Sequence, residues 1–187
     1  SSGERIIAPG GLMISVTAFG RVPAGKMVRR SGAKPGDKIA VTGTIGDAAL
    51  GLRLLNGDLT GDGLDTAAYN FLVQRYRVPQ PRNALAMVLR EHASAAMDIS
   101  DGLAGDLAKL CAASGVSAVI DAPSIPLSDA ARILLDAGQA DFEDIVAGGD
   151  DYEILCALPE NRWDSIAAGV ARLRGTATCI ACVAGGM

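Results

Sequence analysis

The chain has 187 residues, 49% of them hydrophobic, enough to bury a core in one domain or in one domain plus part of another. Its net charge of −4 argues against a basic nucleic-acid surface or an anionic-membrane surface as its main business. No apolar run reaches the ~18 residues a bilayer demands, and with 4% aromatic residues the core is expected to be aliphatic.

The N-terminus, 1-SSGERIIAPGG-11, has no basic region followed by an apolar stretch, so it does not read as a signal peptide. A reducing, cytoplasmic setting is expected. The run 12-LMISVTAFGRV-22 has strand composition. Pro23, Gly25, Gly32, Pro35 and Gly36 then punctuate a connector. The domain boundary falls in that connector. Residues 1–30 read as the remnant of a preceding domain and residues 31–187 as the domain proper.

Beyond it, 38-KIAVTGT-44 predicts a strand and 47-DAALGLRLLNG-57 a helix with a glycine stop. Helical segments follow at 65–77 and 82–92, separated by Pro79 and Pro81. The second half alternates: strand 93–99, helix 101–115, strand 116–122, helix 127–138. A short acidic helix at 140–149, strand 152–159, helix 160–175 and strand 176–184 complete it. This pattern predicts an α+β or layered α/β domain, a mixed sheet covered by helices.

Cys111, Cys156, Cys179 and Cys182 are the cysteines. The 179-CIAC-182 spacing invites a redox or zinc reading. A reactive pair of that type sits at a helix start, whereas this one lies in an apolar, β-rich run, so buried structural thiols are expected. The single histidine, His92, falls near the end of a helical run and forms no triad in the sequence.

Two acidic stretches stand out. In 95-AAMDISDGLAGDL-107, Asp98 stands at the apolar end of a strand, and Ser100 or Asp101 is placed to cap the next helix. Residues there can converge on the crevice where layered α/β proteins bind ligands. Two aspartates would repel a phosphate unless Mg²⁺ bridges them to its oxygens. A plain N-cap explains Ser100 or Asp101 equally well, but not Asp98. In 148-GGDDYEIL-155, two glycines allow close backbone approach before Asp150 and Asp151; an ordinary turn has the same composition. A basic stretch, 29-RRSGAKPGD-37, offers Arg30 as a bidentate phosphate contact or simply forms a solvated turn.

Taken together, 13-MISVTAFGRVP-23, 30-RSGAKPGD-37, 41-VTGTIGDAALGL-52, 97-MDISDGLAGDL-107 and 148-GGDDYEIL-155 resemble the thiamine-monophosphate kinases of the aminoimidazole-ribonucleotide (AIR) synthetase-like superfamily. The resemblance implies an AIR-synthetase C-terminal-like domain and transfer of a phosphoryl group from ATP, with Mg²⁺, to thiamine monophosphate. It implies Arg30 and Ser100 as ATP contacts, Asp98 and Asp101 as Mg²⁺ ligands, and Asp150 and Asp151 as thiamine-substrate contacts. It also implies a homodimer in the full-length protein and no residue acting as a covalent catalyst.

The chain departs from the family pattern at its ends. The early acidic metal-binding segments are absent, Glu4 stands where an aspartate is expected, and the aromatic residue that caps the thiamine ring is missing. The chain therefore reads as truncated at both ends and inactive alone. Other readings are a sister enzyme of the selenophosphate-synthetase or hydrogenase-maturation type, a catalytically incomplete module, and a Mg²⁺-dependent phosphatase.

Overall fold

A computed structural model describes residues 6–7, 13–172 and 176–185, so Glu4 lies outside the described residues. Strands β1 (Ile6–Ile7) and β2 (Met13–Ile14) form a small antiparallel pair. The strand expected over 12–22 is therefore confined to β2. Residues 15–27 are exposed and lack helix or strand. A strand persists only where a neighbour takes up its N–H and C=O groups, and β2's partner is two residues long.

The main sheet has five strands in the order β4-β6-β3-β7-β5. These are β3 (Asp37–Thr42), β4 (Ala95–Ile99), β5 (Ser117–Ile120), β6 (Glu153–Pro159) and β7 (Ala177–Ala184). Each pairing is antiparallel, where a mixed sheet was expected. The alternation of strand and helix did place β3, β4 and β5 in one direction. They are never neighbours, because β6 and β7 insert between them with the opposite direction.

Helices cover both faces. The larger layer holds α1 (Asp47–Asn56), α2 (Thr66–Arg77), α4 (Leu103–Ser114), α5 (Asp129–Asp136) and α6 (Phe142–Ala147). It packs on Ile39, Val41, Leu155, Ala157 and Ile180 of the sheet. The smaller layer, α3 (Ala86–His92) and α7 (Trp163–Arg172), packs on Ala40, Cys156 and Leu158. Successive residues of β3 and β6 thus enter opposite cores, which is why both strands are apolar without alternation. The two helices expected at 82–92 and 160–175 each open with a 3-10 turn, at Asn83–Leu85 and Glu160–Arg162.

Local signals act as the sequence suggests at several helix starts. The Asp65 carboxylate accepts from Ala68 N–H at 2.7 Å, and the Ser128 hydroxyl from Ala131 N–H at 3.0 Å. Asp141 and Asp144 form a capping box on α6. Among the described residues, no helix is long and apolar enough to cross a membrane. The four cysteines are free. Cys179 and Cys182 lie on β7 opposite Ala40 and Lys38; Cys111 and Cys156 are buried as expected, whereas Cys179 is half-buried and Cys182, at the sheet surface, is exposed. His92 is the last residue of α3 and half-buried.

Candidate functional site

The two acidic stretches meet because β4 ends where its antiparallel neighbour β6 begins. Asp98 is in register with Ile154, and Ile99 with Glu153. Beyond the strands the pairing continues: Tyr152 N–H donates to the Ile99 carbonyl at 2.8 Å and Asp150 N–H to the Ser100 carbonyl at 3.0 Å. Glycine makes this approach possible. A Cβ on Gly149 would strike the Ser100 carbonyl oxygen, and one on Gly102 would lie 2.5 Å from the Ala147 carbonyl oxygen. Gly102 also has φ 110, which side chains rarely adopt.

Asp98, Ser100, Asp101 and Asp150 therefore share one end of the sheet. Asp98 and Asp101 are exposed, while Ser100 and Asp150 are half-buried. Asp150 and Tyr152 hold left-handed backbone, φ 69 and φ 50, and the Tyr152 hydroxyl lies 3.3 Å from an Asp150 carboxylate oxygen. Left-handed non-glycine residues concentrate at functional sites. Asp150 also lines a cavity of about 510 Å³ with Ala49, Leu52, Arg53, Asp144 and Gly149.

Neither Ser100 nor Asp101 caps α4, as the sequence had suggested. The N-cap position is Gly102, without a side-chain bond. The N–H groups of Ser100 and Asp101 both donate, at 2.9 Å, to one oxygen of Asp106, further along the helix. The Asp101 carboxylate, 70% exposed, pairs with Lys109.

Asp151 parts company with Asp150. It is fully buried and accepts from the N–H groups of Gly46 (2.7 Å) and Ala48 (3.2 Å) at the start of α1. Burial pushes its carboxyl up to about 7 against the lowering effect of those two bonds, with nearby Asp47 adding to the rise and Arg75 opposing it. Arg30 is exposed and sits toward the other end of β4. The Arg29 carbonyl accepts from Ala96 N–H, and the Arg30 carbonyl from the Ser114 hydroxyl at 3.3 Å. From Ala96 to Ser100 is about 13 Å of extended chain at ~3.3 Å per residue.

Beneath the acidic end lies an ionic cluster that no motif in the sequence announced. Glu153, fully buried, accepts from Thr42 (2.6 Å), Arg75 (3.0 Å) and Arg82 (2.7 Å). Arg75 also donates to the Asp151 carbonyl at 3.1 Å and lies 3.8 Å from Asp47. Asp47 is buried and held by the hydroxyls of Thr44 and Ser128. Burial raises its carboxyl, and those two hydroxyls and Arg75 oppose the rise. The legible signal was Arg75 itself, a charge three residues after Leu72 on the apolar stripe of a helix. Glu153 and Asp106 lie within the two acidic stretches, but nothing local assigned either a role.

Several N–H groups at this end are thus taken internally: Ser100 and Asp101 by Asp106, Asp150 and Tyr152 by the Ser100 and Ile99 carbonyls, Gly46 and Ala48 by Asp151. Those groups are not offered to a phosphate in the way a P-loop offers its backbone nest. Among the described residues no group of three or more His, Cys, Asp or Glu could hold a metal by itself.

The family model for AIR synthase related protein, C-terminal domain, matches residues 34–183. A Caulobacter vibrioides protein named thiamine-monophosphate kinase is 40% identical over 166 residues, covering 86% of this chain and 45% of that relative. The crystal structure of thiamine-monophosphate kinase from Stenotrophomonas maltophilia superposes with a TM-score of 0.80 at 39% identity, covering 89% of this chain and 53% of that one. The structure of AaThiL complexed with AMPPCP and TMP superposes with a TM-score of 0.72 at 32% identity, covering 85% and 48%. The chain spans about half the length of these relatives. On the match across residues 34–183, this chain belongs to the AIR synthase-related family, whose C-terminal domain it carries.

Proposed function

We propose that the chain forms the C-terminal half of a thiamine-monophosphate kinase, which transfers the terminal phosphoryl group of ATP to the phosphate of thiamine monophosphate. The observation that carries this reading is the bond from Asp150 N–H to the Ser100 carbonyl, which sets the two acidic stretches side by side. Its support from relatives is the kinase name they bear and the AMPPCP and TMP held by AaThiL.

The donor set suits Mg²⁺. Asp98 and Asp101 offer hard carboxylate oxygens, and Mg²⁺ prefers a few such ligands completed by water and substrate phosphates. Bound there, Mg²⁺ would neutralise charge between two polyanions. Ser100, between the two aspartates, contacts an ATP phosphate. Arg30 grips ATP from along β4, a separation that an extended nucleotide spans. Asp150 contacts the thiamine moiety, whose cationic ring its carboxylate complements, and its cavity of about 510 Å³ is of small-ligand size. Asp151, the other acid of that pair, acts from beneath by holding the start of α1.

The nucleophile is an oxygen of the acceptor phosphate, ionised at neutral pH, so no general base is needed. Catalysis consists of alignment and charge neutralisation. Residues 1–30 belong to the dimer-forming N-terminal domain of a cytoplasmic homodimer, and that domain completes the ligand set. Support for the boundary comes from the core: residues 15–27 bury nothing, and Ala33 is the first core residue described.

The test is formation of thiamine diphosphate from thiamine monophosphate, ATP and Mg²⁺ by the gene product that carries these residues, beside its Asp98→Asn variant. Product that falls at least ~100-fold in the variant supports the reading. Full activity in Asp98→Asn removes the metal role, and absence of product from the unaltered protein removes the substrate.

A further inference from the structure

We propose that Asp106 is a positioning residue of this site, holding the Ser100–Asp101 turn so that Asp101 is presented as a cation ligand. The inference rests on the kinase reading above and adds a residue of the first acidic stretch to which the sequence assigned no role.

Asp106 is 1% exposed, in the first turn of α4. One of its oxygens accepts from both Ser100 and Asp101 N–H; the other accepts from Lys109 Nζ at 2.8 Å. Lys109 reaches the Asp101 carboxylate as well. A single buried carboxylate thus fixes the backbone of the turn and, through Lys109, the side chain of Asp101.

The chemical consequence is specific. Free N–H groups at a helix start attract anions. Here a carboxylate built into the chain takes the two N–H groups just ahead of the N-cap, so this turn offers a cation the Asp101 side chain rather than offering a phosphate those two N–H groups. Gly102 and Gly149 let the turn pack directly against the backbone of Ala147 and of Ser100. An ordinary cap would contribute only about 1 kcal/mol to stability. A positioning residue must move metal affinity and turnover as well.

The test compares Asp106→Ala, Asp106→Asn and Asp106→Glu in the gene product. Mn²⁺ binding is read by electron paramagnetic resonance with AMPPCP present, and thiamine diphosphate formation is read as kcat and KM. Loss of a group that orients a metal ligand typically weakens metal binding about 10–100-fold. Asp106→Ala is expected to fall in that range for Mn²⁺ and to lower kcat by at least ~10-fold, with KM for thiamine monophosphate within ~2-fold. Asn keeps an oxygen able to accept both N–H bonds, so Asp106→Asn recovers most of the Mn²⁺ affinity. Should the alanine variant not fold, Asp106→Glu replaces it: the charge is kept but displaced by one methylene, and Mn²⁺ must still weaken by at least ~10-fold.

Wild-type Mn²⁺ affinity in Asp106→Ala overturns the proposal, as does an Asn variant no better than alanine, or a rise in KM that accounts for the whole loss. If the unaltered protein binds Mn²⁺ but makes no thiamine diphosphate, the substrate reading fails while the Mn²⁺ comparison still decides the role of Asp106. If it binds no Mn²⁺, the proposal is overturned.

Discussion

Arg75 is the residue whose removal tests the ionic cluster most directly. Its side chain is 7% exposed and touches three acidic residues: the Glu153 carboxylate, the Asp151 carbonyl and, at 3.8 Å, Asp47. Taking one partner from a buried ion pair costs about 3–5 kcal/mol, because the other charge is left uncompensated. Arg82 still holds Glu153, so the lower end, ~3 kcal/mol, applies to Arg75→Met. At ~2–4 °C per kcal/mol for a domain of this size, the melting midpoint should drop by about 6–12 °C. The loss depends on pH in a defined direction. Arg75 opposes the upward push of burial on Asp47 and Asp151, so without it both hold their protons more tightly when folded. At pH 5 the folded state meets that preference; at pH 8 it does not. Circular-dichroism melts at the two values should show the greater deficit at pH 8. A shift under about 2 °C there, or a greater deficit at pH 5, would refute the reasoning.

Asp151 itself should tilt the stability of the unaltered chain. Its folded carboxyl is pushed up to about 7 from an ordinary value of 3.8, so the folded state binds the extra proton. Its contribution is fully present at low pH and is lost as pH rises toward 7, on the order of 1 kcal/mol per pH unit. Urea midpoints across that interval should fall in wild type and flatten in Asp151→Asn; an unchanged slope in the variant sinks the assignment. Gly102→Ala forces a Cβ against the Ala147 carbonyl at φ 110, so its urea midpoint should report a loss of at least ~2 kcal/mol. A neutral outcome would mean the two stretches can separate freely. Cys156 is buried, its thiol pushed up to about 12, whereas Cys182 is exposed. Maleimide at pH 8, followed by peptide mass mapping, should modify Cys182 in the native chain and Cys156 only after unfolding; early labelling of Cys156 would contradict the packing of the smaller core.

The elements most visible in the sequence were those that carry their own punctuation. The helix at 47–57 ends at Gly57 as its glycine stop implied, and the acidic segment at 140–149 does contain a capped helix. Sheet order was not legible, because strand polarity is decided by which strands insert between others, and nothing within β3 states that β6 and β7 will flank it. At the site, the sequence showed which residues bear chemistry but not how they divide their work. Asp150 and Asp151 look equivalent as letters. In the fold one faces a cavity and the other is buried against α1, since successive residues around a left-handed turn diverge. Asp106 and Glu153 escaped notice because their partners lie on backbone N–H groups or on helices distant along the chain, relations that only tertiary structure creates.

The sheet order carries a consequence for how the chain comes to be folded. Its pairings are β3 with β6, β3 with β7, β4 with β6, and β5 with β7. Each ladder needs a strand from the last third of the sequence. During synthesis, at ~5–20 residues per second, β3, β4 and β5 emerge with no partner and wait until residue 159 and then residue 184 have left the ribosome. Helices α1 and α2 can pair early, but the apolar strands they will cover remain open edges. Assembly of the sheet is thus a late, long-range event, slow by its topology and exposed to aggregation while it is pending.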